Sequence, residues 1–192
     1  MLKKLKLFMV MIGCKPAGRL TEQHDIFFGV GENLASLVDQ MKLSWPEAKG
    51  RIHIDAWREI TFVDDFQITI HNKSNTIINE PNHLFFINLG GYLPNEFDEQ
   101  HYKVITVAES LSKAAQIAKK TLFYKTNTFK NATSHIDDQY GIAVDEIYFI
   151  RDILPEYFKA KYEIKIQKAK RKFVPDELHI GYVKIANLIN PK

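Results

Sequence analysis

The chain has 192 residues, of which 45% are hydrophobic and 26% are charged, and its formal net charge is +3. This length and apolar content suffice for a buried core, which excludes a wholly disordered chain. No apolar run approaches the roughly 20 residues that span a bilayer, so we expect no membrane partner.

The first part of the chain predicts two strands, a helix and two further strands. An apolar run at 6–12 predicts a buried strand, and the stretch 25–31 predicts a second one after a loop rich in glycine and proline. The stretches 51–57 and 66–72 predict a third and a fourth strand. Between the second and third strands a helix is predicted from about Glu32 to Trp45. Five apolar residues recur there at helical spacing: Leu34, Leu37, Val38, Met41 and Trp45.

The same pattern returns in the second part of the chain. The tripeptide Glu-Gln-His at 22–24 recurs at 99–101, which sets the offset of the repeat. Aligning 7–45 with 84–122 at this offset gives ten identical pairs, far more than the match of about one position in sixteen that unrelated segments of ordinary composition show. With a small insertion, the tripeptide His-Ile-Asp at 53–55 recurs at 135–137. We interpret the chain as two copies of one unit.

The predicted fold is therefore α+β, with two tandem β-β-α-β-β repeats in a pseudo-twofold arrangement and helices packed on mainly antiparallel sheets. The second copy should have strands at 84–89, 102–107, near 133–137 and near 144–150, with a helix at 109–123. The sequence "VDEI" at 144–147 is aligned with "VDDF" at 63–66. The predicted domains are copy one at 1–70, a linker at 71–83, copy two at 84–152 and a C-terminal β extension at 153–192. The extension should form a closing pair of strands around a basic turn.

The N-terminus allows two interpretations. A basic start, a short apolar run and Cys14 resemble a lipoprotein signal. The counterpart of this run, at 84–91, lies inside the chain, where no signal operates, so we favour a strand. Cys14 is the only cysteine, which excludes an intramolecular disulfide and, with the strand interpretation, predicts a cytoplasmic protein. A buried, inert thiol is expected, although the neighbouring Lys15 would favour a thiolate.

Two histidine–carboxylate pairs are the strongest chemical pattern. Glu22 and His24 are two positions apart, as are His53 and Asp55, so each pair points to one side of an extended chain. If the second and third strands lie close together, the four side chains suit acid–base catalysis with His24, Glu22 and Asp55, or metal binding by all four. We favour a third interpretation, structural polar pairing, because architecture is what both copies must share, and we therefore predict no metal site. Copy two retains the pairs as Glu99, His101, His135 and Asp137.

Other candidate residues occur in copy one alone. Lys15 and Arg19 lie in the glycine loop "GCKPAGR", which is suited to an anion but lacks the P-loop spacing. Trp57 and Arg58 follow the third strand and are suited to stacking and cation–π contacts. The leading functional hypothesis is a small anionic ligand bound by five residues of copy one: Lys15, Arg19, His24, Trp57 and Arg58.

A third hypothesis rests on the basic segment 159–173, where lysines alternate with aromatic residues in a pattern typical of nucleic-acid contacts. No RNA-binding or zinc-finger signature accompanies it, so we favour a solvated surface. We expect no cofactor. A duplicated fold already provides two related halves, so a monomer or a homodimer is expected.

The duplicated "G-x-K-P-x-G-R … EQHDIFFG" pattern, the helix after it and the "HIDAWR" strand resemble a bacterial family catalogued as domain of unknown function 1543. The resemblance covers nearly all of copy one and the start of copy two, which departs from it at the glycine loop and after His-Ile-Asp. That domain occurs in one or two copies per chain, which fits the repeat. The resemblance implies no particular activity.

Overall fold

In a computed structural model, the structure describes residues 4–73, 81–127, 135–136, 147–170 and 174–189; for 135–136 it describes the backbone. The chain divides into two compact units. Unit 1 comprises Met1–Ser74 and Leu154–Lys192, and unit 2 comprises Asn75–Ile153. The C-terminal segment thus packs with the N-terminal one.

Unit 1 contains two antiparallel sheets. Their strands are β1 Lys6–Cys14, β2 Gln23–Gly31, β3 His53–Ile60, β4 Phe62–Val63, β5 Phe66–Asn72, β10 Tyr162–Lys168 and β11 His179–Lys184. Sheet A has the strand order β11-β3-β1-β2, and sheet B has the order β10-β5-β4. The interior strand β1 carries apolar residues on both faces, as expected for a strand with neighbours on both sides.

The predicted first helix is present as a 3-10 turn, Leu34–Leu37, followed by α1, Val38–Ser44. Asn33 caps it: its side chain accepts a hydrogen bond from the backbone N–H of Ser36 at 3.0 Å. The apolar residues of this helical segment pack on one face of sheet A, where five buried residues of the strands also lie: Phe8, Val10, Ile12, Cys14 and Ile54. The helix ends before Pro46, as proline requires. Three short helices complete the described part of unit 1: the 3-10 helix Pro46–Ala48, α5 Glu156–Lys161 and α6 Ile185–Ile189.

The two C-terminal strands are present, but the prediction that they pair with each other is wrong. β10 pairs with β5 in sheet B, while β11 pairs with β3 in sheet A. Each apolar strand therefore extends a different sheet of unit 1. Strand propensity indicates that such strands exist but leaves their partners open.

Unit 2 contains one sheet and several short helices. Its elements are β6 His83–Gly91, β7 Gln100–Ala108, α2 Leu111–Ala118, α3 Leu122–Thr126, β8 His135–Ile136, β9 Ile147–Phe149 and α4 Ile150–Ile153. β6 pairs with β7 along one edge and with β8 and β9 along the other. The predicted second helix is divided, because α2 ends at Ala118 and Thr121 caps the new helix α3. None of the described helices is long and apolar enough to cross a membrane.

The first hairpins of the two units have the same register. The pairs from Lys6 with Gly31 to Cys14 with Gln23 recur, at the offset of the repeat, as His83 with Ala108 to Gly91 with Gln100. The alignment of "VDDF" with "VDEI" is wrong, however. Ile147 pairs with Ile87 on β6. At the offset of the repeat, Ile87 corresponds to Val10, which pairs with Trp57 on β3, so Ile147 corresponds to Trp57 and not to Phe66. β8 and β9 thus both occupy the place of β3, and β9 is not a counterpart of β5.

One side chain fixes the segment before β11. The carboxylate of Asp176 accepts hydrogen bonds from the backbone N–H groups of Thr61 and Phe62, at 2.9 and 3.2 Å, and from the Thr61 hydroxyl. These bonds join parts of the chain that are far apart in the sequence and set where β11 begins.

We expect Asp176→Ala to lower the free energy of unfolding of unit 1 by about 1–3 kcal/mol, because three donors lose their acceptor. Asp176→Asn should lose less, since an amide can accept from the N–H groups and donate to the hydroxyl. Urea unfolding followed by tryptophan fluorescence measures this, because both tryptophans, Trp45 and Trp57, lie in unit 1. Equal losses in the two variants would contradict the hydrogen-bond explanation.

Candidate functional site

Three neighbouring strands of sheet A bring the two histidine–carboxylate pairs together. Gly13, on the central strand, pairs with His24 on β2 and with His53 on β3. Glu22 immediately precedes β2, and Asp55 follows His53 by two positions. The requirement that the second and third strands lie close is met because β1 separates them by a single strand.

Four distances define this histidine–carboxylate cluster. The Nε2 atom of His24 lies 3.2 Å from Oδ2 of Asp55 and 3.8 Å from Oε2 of Glu22. The Nε2 atom of His53 lies 3.3 Å from the same Oδ2 and 3.3 Å from Oε1 of Glu22. Ligand atoms of Glu22, His24 and His53 all lie within 4.8 Å of one another. The imidazole rings of His24 and His53 therefore each direct their own Nε2 atom at the carboxylates of both Glu22 and Asp55.

The cluster has a buried wall and an open rim. The side chain of His53 is 9% exposed and that of Asp55 is 24% exposed, whereas those of Glu22 and His24 are 47% and 44% exposed. The His53 Nε2 and Asp55 Oδ2 atoms are shielded from solvent, and neither makes a hydrogen bond of acceptable geometry with any residue that the structure describes, despite their separation of 3.3 Å. Both are polar atoms that burial makes costly to leave unsatisfied.

A β-bulge positions Asp55. Met11 pairs with Ala56 and Ile12 pairs with Ile54, so Asp55 is the extra residue of β3. On the other side of β3, the register of β11 also shifts, between Ile180 and Val183. Both sheet irregularities thus coincide beside the cluster, a position where bulges commonly re-aim side chains.

Gly13 provides the space that the cluster occupies. A Cβ atom built on this residue would lie 2.4 Å from Nε2 of His53 and 2.7 Å from Oδ2 of Asp55. Real Cβ atoms do not approach other atoms so closely. Any other amino acid at position 13 would therefore force the side chains of His53 and Asp55 to shift.

Tyr182 is a site residue that the sequence did not reveal. Its ring lies over the imidazole of His53, with centroids 4.5 Å apart and planes inclined by 34°. It comes from β11, far along the chain, and only the pairing of β11 with β3 brings it there. The pattern "HIGYVKIA" indicates a strand but carries no signal of this contact.

The cationic residues of the anion hypothesis lie in the loop between β1 and β2, at the same end of the sheet as the cluster. Pro16 to Arg19 form a tight turn in which the backbone N–H of Arg19 donates to the carbonyl of Pro16 at 3.3 Å, and Gly18 has a φ of 79°. Lys15 and Arg19 are both exposed. Neither forms an ion pair within the described part of the chain.

Trp57 and His24 lie on opposite faces of sheet A. Trp57 pairs with Val10 on β1 and packs against the core cluster, while His24 pairs with Gly13 on the same strand. Val10 and Gly13 are an odd number of positions apart, so they and their partners face opposite sides of the sheet. The indole also stacks on His179, with ring centroids 3.8 Å apart. Arg58 returns to the face of the cluster, where its Nη2 atom lies 3.8 Å from the sulfur of Met9. The structure thus does not bring Trp57 to the other four residues of the hypothesis.

Cys14 is buried in the core of unit 1, where it behaves as a small apolar side chain. The described part of the basic segment 159–173 lies in α5 and β10. Lys159 there pairs with Glu156 at 2.5 Å. Burial, and secondarily the charge of Tyr162, raises the pKa of the neighbouring Tyr157 above its ordinary value. The described segment is regular secondary structure rather than a free basic arm.

Comparison with known proteins gives a family match and a structural neighbour. Residues 19–70 match the family described as Domain of Unknown Function (DUF1543), which confirms the resemblance over this part of copy one. The matched span contains all four members of the histidine–carboxylate cluster. A solved structure, of a protein Il1583 from Idiomarina loihiensis, is similar with a TM-score of 0.55 and 21% identity, covering 93% of this chain and 96% of that chain. At this identity the similarity shows the fold alone. No curated protein matches.

The close approach at Gly13 generates a double-mutant test. We expect Gly13→Ala to lower the free energy of unfolding by about 1–3 kcal/mol, because the methyl group enters filled space. In a His53→Ala background the same change should cost less, since the imidazole that the methyl group would meet is absent. Urea unfolding of the four proteins measures the coupling. Equal costs in both backgrounds would mean that another contact of position 13 governs stability.

Proposed function

We propose that the histidine–carboxylate cluster binds a divalent transition-metal ion of the zinc class through Glu22, His24, His53 and Asp55. The observation that carries this proposal is that one ligand atom each of Glu22, His24 and His53 lies within 4.8 Å of the others, with Oδ2 of Asp55 at 3.2 and 3.3 Å from the two histidine nitrogens. The sequence alone did not favour this function over structural pairing. The separations between the ligand atoms now support it.

The spacing can be compared with tetrahedral geometry. Ligand atoms about 2.0–2.1 Å from a zinc ion lie about 3.3 Å from one another at tetrahedral angles. Oδ2 of Asp55 lies 3.2 and 3.3 Å from the two Nε2 atoms, whereas Glu22 approaches them through different oxygens, Oε1 at 3.3 Å from His53 and Oε2 at 3.8 Å from His24. A rotation of the Glu22 carboxylate, the most exposed of the four side chains, would be needed to bring one oxygen into the same range from both nitrogens.

The chemistry of the donors agrees with the spacing. Neutral imidazole nitrogens and carboxylate oxygens together suit zinc and related divalent ions better than calcium or magnesium, which prefer oxygen ligands alone. An ion among these atoms would satisfy the buried Nε2 of His53 and the buried Oδ2 of Asp55 at once. Tyr182 would hold the ring of His53 in orientation through the contact between their rings.

The open rim supports an exchangeable ligand on the ion. Glu22 and His24 are partly exposed, so water or a small anion would reach the metal from their side. We propose that Lys15 and Arg19 attract such an anion, because both are exposed cations in the adjoining loop. The metal would then act as a Lewis acid on the bound anion, which is the route by which this site would support catalysis.

A metal-free alternative uses the same atoms. The contact of 3.2 Å between His24 and Asp55 supports a histidine–carboxylate pair for acid–base catalysis, with the other ring nitrogen of His24 available for proton transfer. In that case added metal would leave stability unchanged or inhibit any activity. The nucleic-acid hypothesis has less support, because a lysine of the basic segment is already paired with Glu156.

We also propose that the chain contains two copies of one domain. The offset at which the sequence repeats and the equal registers of the first hairpins support this interpretation. The leading site belongs to copy one, where the cationic loop is present.

The metal proposal predicts that zinc stabilises unit 1. At a free concentration of 100 times the dissociation constant, zinc should raise the free energy of unfolding by about 2.7 kcal/mol. His24→Ala should lower zinc affinity by at least about 100-fold, because a direct ligand is removed. Tryptophan fluorescence during urea unfolding isolates the effect on unit 1. His71→Ala is the matched control, since that histidine bonds Thr69 on β5, away from the cluster. A zinc-independent midpoint, with a folded wild type, would contradict the proposal.

The anion proposal predicts separate effects of the loop cations. Lys15→Ala with Arg19→Ala should lower the affinity of the zinc-loaded protein for phosphate about 10-fold or more, because two nearby charges are lost, and should leave zinc affinity unchanged. Calorimetric titration with phosphate measures this. Lys113→Ala with Lys119→Ala makes the same change of net charge at exposed positions in unit 2. An equal loss in the two double variants would indicate an effect of net charge rather than a loop site.

A further inference from the structure

Apolar side chains lie beside the histidine–carboxylate cluster on all four strands of sheet A. Met11, two positions before Gly13 on β1, pairs with Ile26 on β2 and with Ala56 on β3. Ala56 pairs in turn with Ile180 on β11. Paired residues of neighbouring strands project from the same face of a sheet, as do residues two apart on one strand. These four residues, which we call the apolar row, therefore share the face of the cluster.

The apolar row does not belong to the core cluster that the first helix covers. Val10 and Ile12, the sequence neighbours of Met11, point into that core from the other face of the sheet. Met11 is half-buried, as are Ile26 and Ala56, and Ile180 is 80% exposed. An antiparallel sheet with one face on a core commonly carries polar side chains on its other face. The apolar row departs from that pattern at the position next to the cluster.

Burial on this face of the sheet decreases toward the cluster. Leu7 pairs with Val30 and with Ile60 at the far end of the sheet, and all three are buried. Along β1 the apolar row lies between these residues and the cluster. The row is therefore the accessible end of an apolar face, and the proposed metal site adjoins it directly.

Tyr182 adds an aromatic side chain where the apolar row meets the cluster. Its ring is 62% exposed although it lies over the imidazole of His53. The register shift between Ile180 and Val183 brings it there. The two exposed apolar side chains of β11, Ile180 and Tyr182, thus stand beside the cluster and its neighbouring row.

The dimensions of the apolar row suit part of a small ligand. Residues two apart on a strand are separated by about 7 Å, so the row lies about that far from Gly13. Neighbouring strands are about 4.8 Å apart, so four strands give the row a width of about 14 Å. An aromatic ring attached to an anion on the proposed ion would lie over Met11.

We propose that the site binds an oxyanion that carries an apolar group of the size of an aromatic ring. The oxyanion would bind the metal ion near the exposed cations Lys15 and Arg19, and the apolar group would lie on the apolar row beside Tyr182. Charge at one end and apolar surface at the other match a ligand of this kind. A methionine at the centre of the row suits it, because a thioether adapts to the shape of its partner. The inference rests on the proposed function and names the ligand class of the same site.

Two phosphonates with the same anionic group test the apolar contact. The untagged full-length chain is loaded with zinc, and its retained zinc is measured by inductively coupled plasma mass spectrometry. Methylphosphonate and phenylphosphonate are then titrated into it by calorimetry. Phenylphosphonate should bind about 10-fold more tightly, which is the gain expected when one face of a phenyl ring leaves water.

Three variants assign the preference to the apolar row. Met11→Gln keeps the length of the side chain and should remove most of the preference for phenylphosphonate, while the affinities for zinc and methylphosphonate stay unchanged. Ile180→Thr changes an exposed strand position, so it provides the same test if Met11→Gln perturbs folding. Leu43→Gln is the matched control and should behave as wild type. Leu43 is an exposed apolar residue of α1, on the other side of sheet A.

The outcomes separate this inference from the metal proposal. Retained zinc with no binding of phenylphosphonate, or with equal affinities for the two phosphonates, overturns the inference and leaves the metal site intact. A preference that both Met11→Gln and Ile180→Thr leave unchanged does the same. No retained zinc in folded wild type overturns the proposed function and this inference with it. A wild-type dimer in sedimentation analysis that Met11→Gln dissociates would assign the apolar row to contact between copies, which also overturns the inference.

Discussion

The site depends on the close approach of the His53 imidazole to the backbone of Gly13, which has no side chain in the way. A residue without a side chain at the centre of sheet A allows a ring from β3 to lie close beside β1. Asp55 fits into the same space only because β3 carries an extra residue there. His24 on β2, with Glu22 just before that strand, then closes the cluster on the other side of the same glycine. Three strands thus contribute to one small volume, and a rigid sheet holds the donors more exactly in place than a loop would.

In the proposed metal site, a cation would compensate the charge of the two carboxylates. Two carboxylates face two imidazole nitrogens, and one atom of each kind is shielded from water without an aligned hydrogen bond. A buried carboxylate oxygen is costly unless a proton or a cation compensates it. Protonation of a histidine supplies one charge but leaves the poor hydrogen-bond alignment unchanged. A divalent ion would supply more charge and impose no hydrogen-bond direction, which is our reason for proposing a metal ion rather than a proton.

Local patterns predicted the strands, the first helix and the two histidine–carboxylate pairs, because alternation and helical spacing are properties of contiguous residues. They could not predict which strands become neighbours, since the partners of β10 and β11 lie far away in the sequence. Trp57 shows a subtler limit. It follows His53 by four positions, so simple alternation places both on one face, but the bulge at Asp55 reverses the parity beyond it. That single extra residue sends Trp57 to the core and Arg58 to the face of the cluster.

The same bulge marks where the two units diverge. In unit 1 a single residue, Asp55, interrupts the pairing of β3 with β1. In unit 2 the described strands β8 and β9 pair with the same edge of β6 in the equivalent register, and residues 137–146 separate them in the sequence. A strand ladder tolerates insertion best where its hydrogen bonds are already broken, so a bulge is the least costly point for added chain. In unit 1 this break lies two positions after His53. Sequence change at the break would alter the surroundings of the proposed ion without disturbing the glycine and histidines that would hold it.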